Sequence, residues 1–242
     1  MTRNCFIKLA VFIVFALFLS CSNDEPKEEK DKNSSTNFAF SPRISIVSQN
    51  TNIADVNVEI EGFDGNLVSG AVVLVSNNIN GVNKCTYDPT TGSYNGKYPI
   101  PTDGLIKIII NSVLSPTPAT YTIFHQQIIN KPIINVFEDS TGASVLLGMA
   151  LDFLNEIQIG WTSCGEGIVY HISIKSSLQT LYEASTDSLT HFIPGGTFLI
   201  SPGQIYYLQI NAQRIIGDPF FQKINYYSAA IRTGDVISFN VR

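Results

Sequence analysis

Ser185, Asp187 and His191 are the residues of this chain that match a nucleophile, an acid and a base by type. A working serine nucleophile needs a strand-turn-helix elbow, which the sequence around Ser185 lacks, and the three residues are expected within one strand-edge loop. The other two histidines are His125 and His171. Glu59 and Glu61 stand two apart on an alternating segment, about 7 Å from each other, a separation a glycosidase could use. The alternation reads them instead as outward charges that keep an edge strand soluble. Of four cysteines, Cys5 and Cys21 belong to the N-terminal segment, which leaves Cys85 and Cys164, one in each half of the remainder. Both are expected as thiols without a disulfide partner. No clustered His or Cys spacing suits a metal, and no glycine loop suits a phosphate. The reading is of a chain without catalytic residue, metal site or cofactor.

The elements that must position any site are strands. Short runs of Ile, Val, Tyr and Phe alternate with Gly, Pro, Asn, Ser and Thr, as strands joined by turns require. Val56, Val58 and Ile60 share one face of a segment, with Asn57, Glu59 and Glu61 on the other, the period of a half-buried strand. Further strands are expected at residues 70–75, 106–111 and 121–125, with turns at 63–66, 80–81, 88–92 and 103–104. No stretch carries a sustained helical stripe. With 44% hydrophobic and 14% charged residues the chain has a core to bury, and 242 residues suit two domains of about 100 each after a leader. A net charge of −5 and a pI near 5.1 argue against nucleic acid as partner.

The N-terminus carries the sharpest signal. Arg3 and Lys8 precede an apolar run over residues 9–19, about eleven residues and too short to span a bilayer as a helix. It ends in Phe18-Leu19-Ser20-Cys21, which resembles a lipobox, with Phe18 where Leu is usual. That resemblance implies cleavage before Cys21 and lipid on its thiol. Residues 22–37, SNDEPKEEKDKNSSTN, mix five acids with three lysines and are expected to stay a solvated leash. In position and acidity the leash resembles the export signals of surface-exposed lipoproteins, which implies the outer membrane, at the cell surface or on its periplasmic face.

Two further resemblances concern the folded part. Residues 65–75, with Tyr87-Asp88 and Thr91-Gly92-Ser93-Tyr94, resemble a transthyretin-like or immunoglobulin-like β-sandwich. Residues 200–212, ISPGQIYYLQINA, resemble the fibronectin type III pattern in which Tyr206 is the corner tyrosine and Leu208, Ile210 and Ala212 point inward. Ile157-Gln-Ile-Gly-Trp161 fits that family's strand with the core tryptophan, and Tyr170, Ile172 and Ile174 fit the inward positions of the next. Residues 149–156 are an apolar insertion that departs from the pattern, expected as a helical turn or a bulged edge. The expected architecture is all-β: a leader over 1–20, the lipidated cysteine and tether over 21–37, and tandem sandwiches over 38–129 and 130–242.

On that register His171, Ser173 and Lys175 share an outward face with Tyr207, Gln209 and Asn211, where an aromatic among amides could hold a sugar ring. The connection over 214–224 carries Ile215, Ile216, Phe220 and Phe221, and it either folds back onto its own domain, the reading preferred, or offers an apolar contact; adjacent Phe rings on an extended chain point opposite ways. The candidate binding residues are therefore His171, Tyr207, Phe220 and Phe221. The expected function is a non-enzymatic, membrane-anchored binding or structural module with a protein or glycan ligand. The alternatives are an accessory glycan-binding lipoprotein of a polysaccharide-uptake system and a hydrolase with an unrecognised site.

Overall fold

The computed structural model describes residues 39–77, 81–197 and 201–242. The leader and the leash, Cys21 included, lie outside these residues. Phe38–Arg242 forms one compact unit, built from β1 (Phe40–Gln49), β2 (Ile53–Gly62), β3 (Val72–Ser76), β4 (Val82–Lys84), β5 (Thr86–Asp88), β6 (Ser93–Pro99), β7 (Leu105–Asn111), β8 (Ala119–Phe124), β9 (Ile134–Asp139), β10 (Ile157–Trp161), β11 (Val169–Lys175), β12 (Thr180–Thr186), β13 (Thr190–Ile193), β14 (Ile205–Gly217) and β15 (Tyr226–Asn240). The structure is all-β, and it packs as sandwiches around two clusters of buried side chains.

In the first cluster, β1-β2-β6-β5 faces β4-β3-β7-β8. This is the immunoglobulin order of A-B-E-D against C-F-G with one short extra strand. Alternation accounts for it directly: Val56, Val58 and Ile60 of β2 and Ile106, Ile108 and Ile110 of β7 are all buried. The chain changes sheets between β4 and β5 at buried Cys85, whose thiol sits so close to Gly96 that a Cβ there would lie 2.8 Å from the sulfur. Burial raises that thiol's pKa to about 11, which keeps it protonated and unreactive. The turn before β6 closes on Gly92 at φ +70°, a conformation that favours glycine.

The second cluster lies between β13-β10-β9 and β12-β11-β14-β15, the fibronectin-type arrangement. Trp161 and Tyr206 are both 2% exposed, and the Tyr206 hydroxyl accepts the Ser201 N–H at 2.8 Å and lies 3.3 Å from the Ser201 carbonyl. That is the corner the sequence pattern implies. The apolar insertion over 149–156 is neither a helix nor a strand. It follows a 3₁₀ turn at Val145–Leu147 and tucks Leu151 and Phe153 into the core, Phe153 stacking on Phe239 at 5.6 Å. Tyr206→Phe should lower stability by about 1 kcal/mol through loss of the corner hydrogen bonds, read as a shift in urea midpoint with unchanged slope. An unshifted midpoint would show that the corner does not hold the loop.

The two cores share a sheet. β1 pairs antiparallel with β2 and parallel with the first half of β15, Ile44 opposite Tyr226 through Gln49 opposite Ile231. This makes one eight-stranded sheet, β12-β11-β14-β15-β1-β2-β6-β5. Tyr226 packs against the first cluster and Ala230 lies within the second, so β15 changes cores along its length. Asn50 closes the seam: its amide donates to Thr233 Oγ1, its carbonyl side accepts the Thr233 N–H at 2.8 Å, and Arg232 donates to its backbone carbonyl. At Gly234 an added Cβ would lie 2.9 Å from the Pro132 carbonyl oxygen, so the connector between β8 and β9, residues 125–133, is laid tightly on the bulged β15.

Candidate functional site

The predicted polar face exists in the predicted register. His171 stands opposite Asn211, Ser173 opposite Gln209 and Lys175 opposite Tyr207. His171 is committed, however: its Nδ1 lies 2.7 Å from Ser185 Oγ and its Nε2 2.5 Å from Gln213 Oε1. Tyr207 is exposed, but it stands four residues along the strand, about 13 Å from His171. The two share a face without sharing a site.

The triad-like residues separate. Ser185 is on β12, where it holds His171, while His191 is on β13 and meets the Tyr182 hydroxyl at 2.5 Å. They do not lie in one loop as the sequence suggested, because the chain turns between two different sheets there. Glu59 and Glu61 also differ from expectation. β2 is an interior strand between β1 and β6, and Arg43 on β1 reaches both carboxylates, at 3.8 and 3.1 Å. The charges pair across strands and do not guard an edge.

The segment over 214–224 is shorter as a loop than its composition implied, since β14 continues to Gly217. The remaining loop is organised by Asp218, whose carboxylate accepts the N–H groups of Phe220, Gln222 and Lys223 at 2.8–2.9 Å. Those bonds hold its pKa below the usual carboxylate range, that from Lys223 foremost. Phe221 takes φ +53° and is half-buried, and Phe220 is 77% exposed. The loop docks on the first core: Asn225 accepts the Ile44 N–H through its carbonyl and donates its side-chain amide to Ser41.

Two features had no local signal. One is a cleft of about 620 Å³ where the connector meets the second core, with Phe124, Gln127, Asn130, Cys164, Arg214 and Ile215 in its walls. Arg214 crosses to the Glu166 carbonyl at 2.9 Å, and burial raises the Cys164 thiol. The other is His125, fully buried at the seam, with Nδ1 2.8 Å from Ser228 Oγ on β15 and Nε2 2.9 Å from Ser48 Oγ on β1. Burial pushes its pKa down to about 4. Among the described residues no three His, Cys, Asp or Glu side chains converge as metal ligands would.

No protein-family model matches the sequence, and no curated protein matches it. Solved structures with a similar chain course include a cytokine receptor complex, 9% identical over 81% of this chain and 95% of that one, with a TM-score of 0.39. They also include the FN1–FN3 domains of chicken CNTN1, 11% identical over 84% and 66%, TM-score 0.38, and the BSP domain of a biofilm associated protein, 17% identical over 83% and 29%, TM-score 0.27.

Proposed function

We propose that this chain is a lipid-anchored, non-enzymatic surface module that presents a stiff two-core body from the outer membrane. The observation that carries the reading is the seam. A parallel β1–β15 pairing makes one sheet of both cores, so what is held at one end is transmitted to the other without a hinge. The lipobox-like Phe18-Leu19-Ser20-Cys21 and the polar leash support the anchor, and no described helix is long and apolar enough to cross a membrane. The body's exposed residues then serve as a binding or structural surface for protein.

The cleft favours a second reading, an accessory glycan-binding role. Phe124 and Ile215 offer apolar wall, while Gln127, Asn130 and Arg214 offer the amide and guanidinium donors that sugar hydroxyls accept from. The hydrolase alternative gains nothing from Ser185 and His191, which bond His171 and Tyr182 and not each other.

The anchor is tested by fractionating cells that make the full chain or Cys21→Ala. Wild type should remain in the carbonate-washed membrane pellet and the variant should move to the soluble fraction, since the eleven-residue apolar run is too short to hold it. Carbonate-resistant retention of Cys21→Ala would overturn the assignment.

A further inference from the structure

Three loops far apart in sequence bring bulky apolar side chains to one end of the body. Phe63, 85% exposed, follows Gly62, which is paired with Phe40 at the start of β1. Val113, 88% exposed, and exposed Leu114 border the same groove as Phe63, exposed Leu67 and Ala39. Phe220 belongs to the loop that ends at Asn225, bonded to Ser41, so its loop joins the body at the first residues of β1. These residues are not loosely placed. The 62–67 turn is tied by Asp64 to the Asn66 N–H and amide at 3.1 and 2.8 Å, as Asp218 ties the loop of Phe220. Stiff, tied turns hold the apolar groups outward, where collapse onto the body would otherwise cover them.

The covalent chain enters at that end. Ala39 borders the groove, and only sixteen polar residues, 22–37, separate Cys21 from Phe38. Covalent geometry limits the reach of sixteen residues to about 55 Å. The covalent link to the anchor therefore leaves from the Phe63–Val113–Phe220 end, and Asn240 at the far end of β15 lies fourteen residues, about 46 Å, beyond Tyr226. We propose that this end is a membrane-contact surface: Phe63, Leu67, Val113, Leu114 and Phe220 enter the interfacial region of the bilayer that holds the lipid anchor, and so fix the body's orientation on it. This rests on the anchor proposed above. The bilayer chemistry it fits is zwitterionic, because Glu59, Glu61, Asp64 and Asp218 outnumber Arg43 and Lys223 around the apolar tips.

The test uses the lipidated full chain in phosphatidylcholine vesicles whose acyl chains are brominated near the headgroup. Phe63→Trp and, separately, Val113→Trp serve as reporters, with Val236→Trp on the distant half of β15 as control and buried Trp161 as internal background. Flotation with the vesicles reads the anchor; bromine quenching reads the contact. Both reporters should shift to shorter wavelength and lose about half or more of the added emission, as an aromatic at interfacial depth does, while V236W stays unquenched. Adding Phe220→Ser to F63W should weaken the quenching. Chains that float but leave both reporters unquenched overturn the contact surface and keep the anchor, and dimers with that end covered by a second copy would count among them. Chains that fail to float overturn the anchor instead.

Discussion

Trp161→Ala should destabilise the folded chain by about 3 to 5 kcal/mol, the loss expected when a large buried ring is truncated. Trp161 lies at the end of β10, packs its ring 5.4 Å from Tyr170, and sits where a register shift bends the strand between Gly160 and Trp161. The site is held by main chain on both sides, the Trp161 N–H to Leu189 and the Thr162 N–H to Ile133, so it cannot collapse into the void the ring leaves. The indole Nε1 is buried and has no hydrogen-bond partner among the described residues. That distinguishes two substitutions. Trp161→Phe keeps a ring and removes an unsatisfied donor, so it should cost about 1 kcal/mol, well under the alanine variant. Urea unfolding followed by circular dichroism measures both, since Trp161 is the chain's single tryptophan and its fluorescence disappears with it. Equal losses for the two variants would mean that packing around the ring does not hold the second core.

What the sequence made legible follows from how local each signal is. Alternation located β2, β7, β11 and β14 and their buried faces because a strand with one dry face writes its period into consecutive residues. Tyr206 and Trp161 were legible because the corner bond spans five residues and the tryptophan strand has its own apolar pattern. The polar face of β11 and β14 followed from that register alone. What β2 adjoins was not legible: Glu59 and Glu61 look the same on an edge strand as on an interior strand with Arg43 alongside. The β1–β15 pairing joins residues about 180 positions apart, and nothing in Ser228-Ala229-Ala230 announces a parallel partner beyond the smallness that lets it approach. The turn at residues 63–66 could be read. That the loops of Phe63, Val113 and Phe220 lie at one end could not, because loops far apart in sequence are brought together only through the sheet order.

Acid should weaken the seam before it reaches the carboxylates. His125 is neutral in the folded chain, with burial holding its pKa near 4, against about 6.5 for an exposed imidazole. A neutral ring has one N–H and one bare nitrogen, and Ser48 and Ser228 can serve both, one hydroxyl accepting and the other donating. Neither nitrogen faces a carboxylate that would offset a second proton. Above pH 6.5 neither the folded nor the unfolded chain carries the extra proton, so this group leaves stability level. Below it the unfolded chain takes up a proton the folded chain refuses. Stability then falls by about 1.4 kcal/mol per pH unit, to a total on the order of 3 kcal/mol by pH 4, where the folded ring also protonates. His191, its pKa also lowered by burial, adds in the same direction. Asp64, Asp88 and Asp218, whose pKa values hydrogen bonds hold low, add their loss only at lower pH still. The window between pH 6.5 and 4 therefore belongs chiefly to His125. His125→Gln keeps an amide donor and acceptor between the serines and cannot titrate. Its urea midpoint should be lower than wild type at pH 7.5 yet change far less on going to pH 5. If wild type holds the same midpoint from pH 7 to pH 5, the imidazole is not what joins β1 to β15, and the Asn50–Thr233 bonds and the parallel ladder hold the seam without it.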